Sequence, residues 1–160
     1  MCIRDSLEPL HEHLFEYKTH MMQNYGAGVQ ACYRGPRLYD TPETQAAVTE
    51  VIQWYKKYRD ILNSDMIHLR RPDARDWDGF IHVNPHKKEK GLAMFFNPAH
   101  QEITRTIHIP LYYTGLTQTA RIREKEQKPV TYKLNRDYTV ELTVKIPANG
   151  YTWYVVEAAD

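Results

Sequence analysis

The chain has 160 residues, 42% of them apolar, the size of about one domain with one core. Lys and Arg total 21 against 20 Asp and Glu, a formal charge of +1, so a general polyanion binder is not expected and nucleic acid is not a partner. No run approaches the roughly 18 apolar residues of a membrane span, and two cysteines, Cys2 and Cys32, supply neither a disulfide framework nor a four-thiolate zinc site.

The first six residues, Met1 to Ser6, have no amphipathic period and lack the basic, apolar and small-residue regions of a signal peptide. They resemble the spurious leader often carried by open reading frames from environmental shotgun assemblies. The segment is therefore set aside from the fold, and Cys2 with it. Such a scar implies a chain cut from something longer and leaves the compartment undetermined.

From residue 7 to residue 63 the pattern is mainly helical. Leu10, Leu14, Tyr17 and Met21 recur at three and four, which predicts a helix over about residues 8–23, ended by Gly26 and Gly28. Val29 to Tyr33 reads as a short strand closed by Arg34-Gly35-Pro36. A second helix follows, with Thr41 as N-cap, Pro42 in the first helical position and Glu43 against the dipole. Val48, Val51, Ile52, Tyr55, Tyr58 and Leu62 form its apolar stripe, and Asn63-Ser64 stops it.

From residue 64 to 160 the period changes from 3.6 to 2. Eight strands are predicted, over 66–71, 79–84, 91–97, 102–109, 119–125, 130–134, 138–146 and 151–158. Tyr138, Val140, Leu142, Val144 and Ile146 alternate with Thr139, Glu141, Thr143 and Lys145. Ile103, Ile107 and Ile109 share a face that Arg105 interrupts, and Val130, Tyr132 and Leu134 share another. Leu92 to Phe96 is apolar on both faces, as in a central strand. Turn residues such as Asn84-Pro85, Asn97-Pro98 and Asn149-Gly150 separate the runs. The expectation is a mainly β chain, an eight-stranded antiparallel β-sandwich preceded by a helix-strand-helix segment. That segment is too small to enclose a core alone. It has the order of the last units of a (β/α)8 barrel.

The order of motifs resembles the C-terminal part of retaining α-glycosidases of the α-galactosidase-like clan. It runs through Tyr33-Arg34-Gly35, the helix containing Trp54-Tyr55-Lys56-Lys57-Tyr58, and then Gly91-Leu92-Ala93-Met94-Phe95-Phe96-Asn97-Pro98. Ile109-Pro110-Leu111-Tyr112-Tyr113-Thr114-Gly115 and the closing Ile146-Pro147-Ala148-Asn149-Gly150-Tyr151-Thr152-Trp153 complete it. The resemblance implies a barrel with two carboxylates about 5–5.5 Å apart, one nucleophile and one acid. It also implies that both lie on barrel strands before this chain's first residue, so no catalytic residue is assigned here. The expected function is a glycoside hydrolase fragment, itself inactive, whose sandwich supports a missing catalytic barrel. The alternative is a stand-alone carbohydrate-binding or structural β-sandwich module. In either case the partner is carbohydrate, reached through the parent enzyme in the first.

Three residues are candidate substrate contacts. Tyr33 and Arg34 follow the presumed last barrel strand, the face where barrel loops meet substrate. Trp77 lies in the charged stretch Arg70-Arg71-Pro72-Asp73-Ala74-Arg75-Asp76-Trp77-Asp78, which reads either as a sugar-contacting loop or as a polar turn with internal Arg–Asp pairs. In the second reading Trp77 caps the sandwich. No cofactor is expected. Asp73, Asp76 and Asp78 lack the distal glutamate of a calcium loop, and His11-Glu12-His13 lacks zinc spacing. His68, His82 and His108 read as solvent-facing strand residues, and Cys32 as a small buried hydrophobe. The oligomeric state is not readable from these patterns.

Overall fold

The structure is a computed structural model and describes residues 8–29 and 36–159. It divides into two compact units between Leu62 and Asn63.

In the first unit a 3-10 turn, Leu10–His13, leads into α1, Leu14–Gly26. Its onset falls later than the apolar period predicts because Pro9 sits in extended backbone and has no N–H to give. The Pro9 carbonyl instead accepts the Glu12 N–H at 3.2 Å in a tighter turn. At the other end Gly28 takes a left-handed φ of 74° that ends the helix region. Leu10, Tyr17, Met21 and Met22 are buried. The strand expected over 29–33 falls largely outside the described residues, as do Cys2, Cys32 and residues 1–6.

The second helix, α2, spans Pro42–Leu62. Thr41 Oγ1 accepts the Thr44 N–H at 3.3 Å, and Thr44 Oγ1 accepts the Thr41 N–H at 3.0 Å. This is a reciprocal capping box with threonine in the usual Glu or Gln place. Val48, Val51, Tyr58 and Leu62 are buried as the stripe requires, and Ala47 and Ile61 widen it. The Tyr25 and Tyr55 rings lie 5.0 Å apart, joining α1 to α2.

The second unit holds eight strands: β1 Asp65–Arg70, β2 Asp78–Val83, β3 Glu89–Phe96, β4 Ile103–Pro110, β5 Thr119–Glu124, β6 Val130–Lys133, β7 Thr139–Ile146 and β8 Tyr151–Ala158. They form a six-stranded sheet in the order β1-β2-β3-β8-β5-β6 and a two-stranded sheet β4-β7, every pairing antiparallel. The chain is thus mainly β, with eight antiparallel strands in two sheets and two α-helices.

One core lies between the sheets. Ile103, Ile107, Ile109, Val140, Leu142, Val144 and Ile146 come from the smaller sheet. Ile81, Ala93, Phe95, Ala120, Ile122, Tyr154 and Val156 come from the larger. The opposite face of three of the four interior strands, β2, β3 and β8, is apolar and buried as well, through Phe80, Leu92, Met94, Phe96, Trp153 and Val155. The both-faces-apolar run in β3 therefore is a central strand.

Two expectations need correction. Val130 is 55% exposed although its pattern placed it inward, because it opens β6, an edge strand with no neighbour beyond it. His82 is buried, whereas His68 and His108 are exposed. It sits on the interior strand β2, where the ring packs against Phe80 at 5.6 Å. His108 belongs to the smaller sheet and His68 and His82 to the larger, so the three do not share one.

Candidate functional site

The two most chemically dense places lie in the β unit. The first is the connection from β1 to β2. Arg70 donates to Asp73 Oδ2 at 2.7 Å and to the Trp77 carbonyl. Asp73 Oδ1 also accepts the N–H groups of Arg75 and Asp76, at 2.9 and 3.1 Å. Asp76 pairs with Arg105 of β4 at 3.1 Å, which explains why an arginine interrupts that strand's apolar side.

These contacts set the charges. The Arg70 hydrogen bond, with the two backbone N–H groups, holds the Asp73 carboxyl well below the usual carboxylate range. Burial works against ionisation of Asp76, but the Trp77 N–H and Arg105 outweigh it and the net shift is downward. Asp78 moves upward, chiefly through burial. Asp73 and Asp76 are thus committed to arginines and to backbone N–H groups of their own loop.

Trp77 is half-buried against the core, its ring 5.8 Å from Phe95. The Arg70 guanidinium lies 5.9 Å from the indole centroid. Protein groups therefore engage the ring, in the arrangement of the polar turn with internal Arg–Asp pairs. The other two candidate contacts, Tyr33 and Arg34, lie outside the described residues.

The second place is a groove of about 870 Å³ along the free edge of β1. Asp65, Met66, Ile67 and His68 form one wall. Val83, Asn84, Pro85 and His86 of the β2–β3 hairpin form another, and Tyr113 completes the lining. Its volume falls within the ~300–1,000 Å³ of small-ligand sites. Tyr113 is 63% exposed, and its neighbour Tyr112 meets it edge-on at 5.2 Å.

The turn that carries the exposed ring is itself fixed. Tyr112–Thr114 is a short 3-10 turn ended by Gly115 at φ 75°. Thr114 is buried and donates to the Leu111 carbonyl at 2.6 Å. A side chain on Gly115 would stand 2.9 Å from Pro85 Cβ, so the turn lies against the hairpin with nothing between. The hairpin is itself braced: Asn84 donates to Ser64 Oγ at 3.0 Å and accepts the His86 N–H at 2.9 Å.

The sequence reading missed this groove. Its residues come from three separated segments, and only strand pairing brings them together. The one local signal was two adjacent tyrosines in a turn before Thr-Gly.

No protein-family model matches the chain, and no curated protein matches it in sequence. Solved structures do share its fold. An α-galactosidase I from Mortierella vinacea matches with a TM-score of 0.57 and 13% identity, over 94% of this chain and 38% of that one. A GH27 β-L-arabinopyranosidase from Geobacillus stearothermophilus matches with a TM-score of 0.57 and 10% identity, over 89% of this chain and 31% of that one. The chain spans about a third of the length of these structures. Its fold is that of the C-terminal β-sandwich region of such glycoside hydrolases.

Proposed function

We propose that the chain is the terminal portion of a retaining glycoside hydrolase, and that its sandwich buttresses a catalytic barrel whose acid and nucleophile lie outside these residues. The observation that carries this reading is the extent of the likeness to the Mortierella α-galactosidase. It takes in 94% of this chain, well beyond the β unit alone, yet only 38% of that enzyme. The helical unit is then the end of the barrel, and Tyr33 and Arg34, outside the described residues, are its proposed substrate contacts.

Two measurements test it. Reading the source DNA upstream of codon 1 should reveal an open frame with α/β repeats and carboxylates at strand ends. An in-frame stop there, with a ribosome-binding site before Met1, would reject the fragment reading and favour a stand-alone module. Incubation of the 160-residue chain with aryl glycosides should give no turnover. Hydrolysis above the buffer rate would place a catalytic pair inside the chain.

A further inference from the structure

We infer that the groove along β1 is a carbohydrate-binding site in its own right, with Tyr113 as the stacking face and Asp65 and His86 as its hydrogen-bonding groups. The inference takes its ligand class from the glycoside hydrolase reading above and adds a location that this reading does not need.

Three observations converge. The first is a solvent-open aromatic on a fixed mount. Tyr113 is 63% exposed, so it adds little to the core, yet Thr114 beneath it is buried and Gly115 abuts Pro85. A flat apolar ring carried on a fixed turn suits the C–H side of a pyranose and needs no ordering of the backbone on binding.

The second observation is the character of the polar wall. Asp65 contributes an acceptor carboxylate and His86 an imidazole that both donates and accepts, whereas the His68 ring turns to the other face of the sheet, against Phe80. Among the described residues, the side chains of Asp65 and His86 form no hydrogen bond or ion pair. Sugar hydroxyls likewise both donate and accept. An anionic ligand, by contrast, would meet Asp65 and find no Lys or Arg in the lining.

The third observation is the contrast with Trp77, the aromatic that the sequence singled out. Its ring already meets Phe95 and Arg70, whereas among the described residues Tyr113 meets another ring only edge-on, at Tyr112.

The test is a nitrogen-15 NMR titration of the full chain with galactose, glucose and their short oligosaccharides, followed by calorimetry on the strongest binder. Saturable shifts confined to residues 65–68, 84–86 and 113 are expected. Tyr113→Ala should weaken the affinity by about three- to tenfold, the worth of one aromatic contact. Asp65→Asn should weaken it while leaving the unfolding temperature in place, and Tyr113→Phe should retain most of the binding. Shifts that centre on residues 71–77, affinity unchanged in Tyr113→Ala, or no saturable binding of any sugar would each overturn the inference. Preferential binding of extended peptides to the β1 edge would overturn it too, in favour of strand addition. None of these outcomes touches the fragment reading, which the upstream DNA decides separately.

Discussion

The side-chain amide of Asn97 donates to the Pro147 carbonyl at 3.0 Å, across fifty positions of sequence. The same amide reaches the carbonyls of Gln101 and Ile146 at 2.8 and 3.3 Å, and its oxygen accepts the Ala99 N–H at 2.9 Å. Asn97 is buried, and its own N–H donates to the Gly150 carbonyl at 2.9 Å. One residue at the end of β3, in the six-stranded sheet, thereby fixes the turn into β4 and the connection from β7 to β8. The Asn-Pro and Pro-Ala-Asn-Gly motifs of the sequence are two sides of this clamp.

Asn97→Ala should therefore destabilise the β unit by about 1–3 kcal/mol, the cost of stranding buried carbonyls without a donor. Asn97→Asp should cost more, because it turns a carboxylate toward the same carbonyls. Urea denaturation of the two variants beside the parent chain would measure both. A change below about 0.5 kcal/mol would show that the clamp is dispensable.

Gly79 opens the approach of β2 to β3. A Cβ at this position would stand 2.4 Å from the Met94 carbonyl oxygen, a backbone atom that cannot swing away. Gly79→Ala is expected to shift the register near Gly79–Phe95 or to destabilise by about 1–3 kcal/mol. Gly91→Ala gives a milder comparison, since its nearest neighbour is the tip of Ile81 at 3.2 Å. Equal unfolding midpoints for the two variants would contradict this ranking.

Arg70→Met removes the partner of Asp73, the donor to the Trp77 carbonyl and the cation beside the indole in one step. Amide exchange at Arg75 and Asp76, whose N–H groups depend on Asp73, should accelerate first. Sugar binding in the β1 groove should persist in this variant, because none of the three contacts lines it.

Asp40 gives a pH signature. Burial raises its pKa as the largest single influence, yet hydrogen bonds from His11 and Thr44 together prevail and bring it down to about 2 from 3.8. A carboxyl with a depressed folded pKa adds stability that is complete above the unfolded value and disappears as pH falls through the folded one. This contribution is thus intact at neutral pH and fades between about pH 4 and pH 2. A carbon-13 titration of the Asp40 carboxyl should show a midpoint near 2, and Thr44→Val should move it upward. A midpoint close to 4 in the parent chain would show that the His11 and Thr44 contacts do not form in solution.

What the sequence by itself determined is local. The strand with the cleanest alternation, Thr139–Ile146, faces the core with the same residues that its period of two assigns inward. Thr41 and Pro42 mark the start of α2 because capping geometry is settled within four residues. The shift from a period of 3.6 to one of 2 after Ser64 marks the passage from helices to strands, since each period follows from its own backbone geometry.

Tertiary structure alone decided which strands are neighbours and what they bring together. The last strand, β8, sits between β3 and β5, so residues more than fifty positions apart pair edge to edge. No local pattern encodes that, because hydrogen bonds between strands are satisfied equally well by any apolar partner of suitable length. Val130 and His82 depart from their local patterns for the same reason: exposure depends on whether a strand lies at the rim or within the sheet. The groove is a further case. Asp65, His86 and Tyr113 are chemically ordinary in isolation, and they form a wall only because β1 is left at the rim with the β2–β3 hairpin and the Tyr112–Thr114 turn folded beside it.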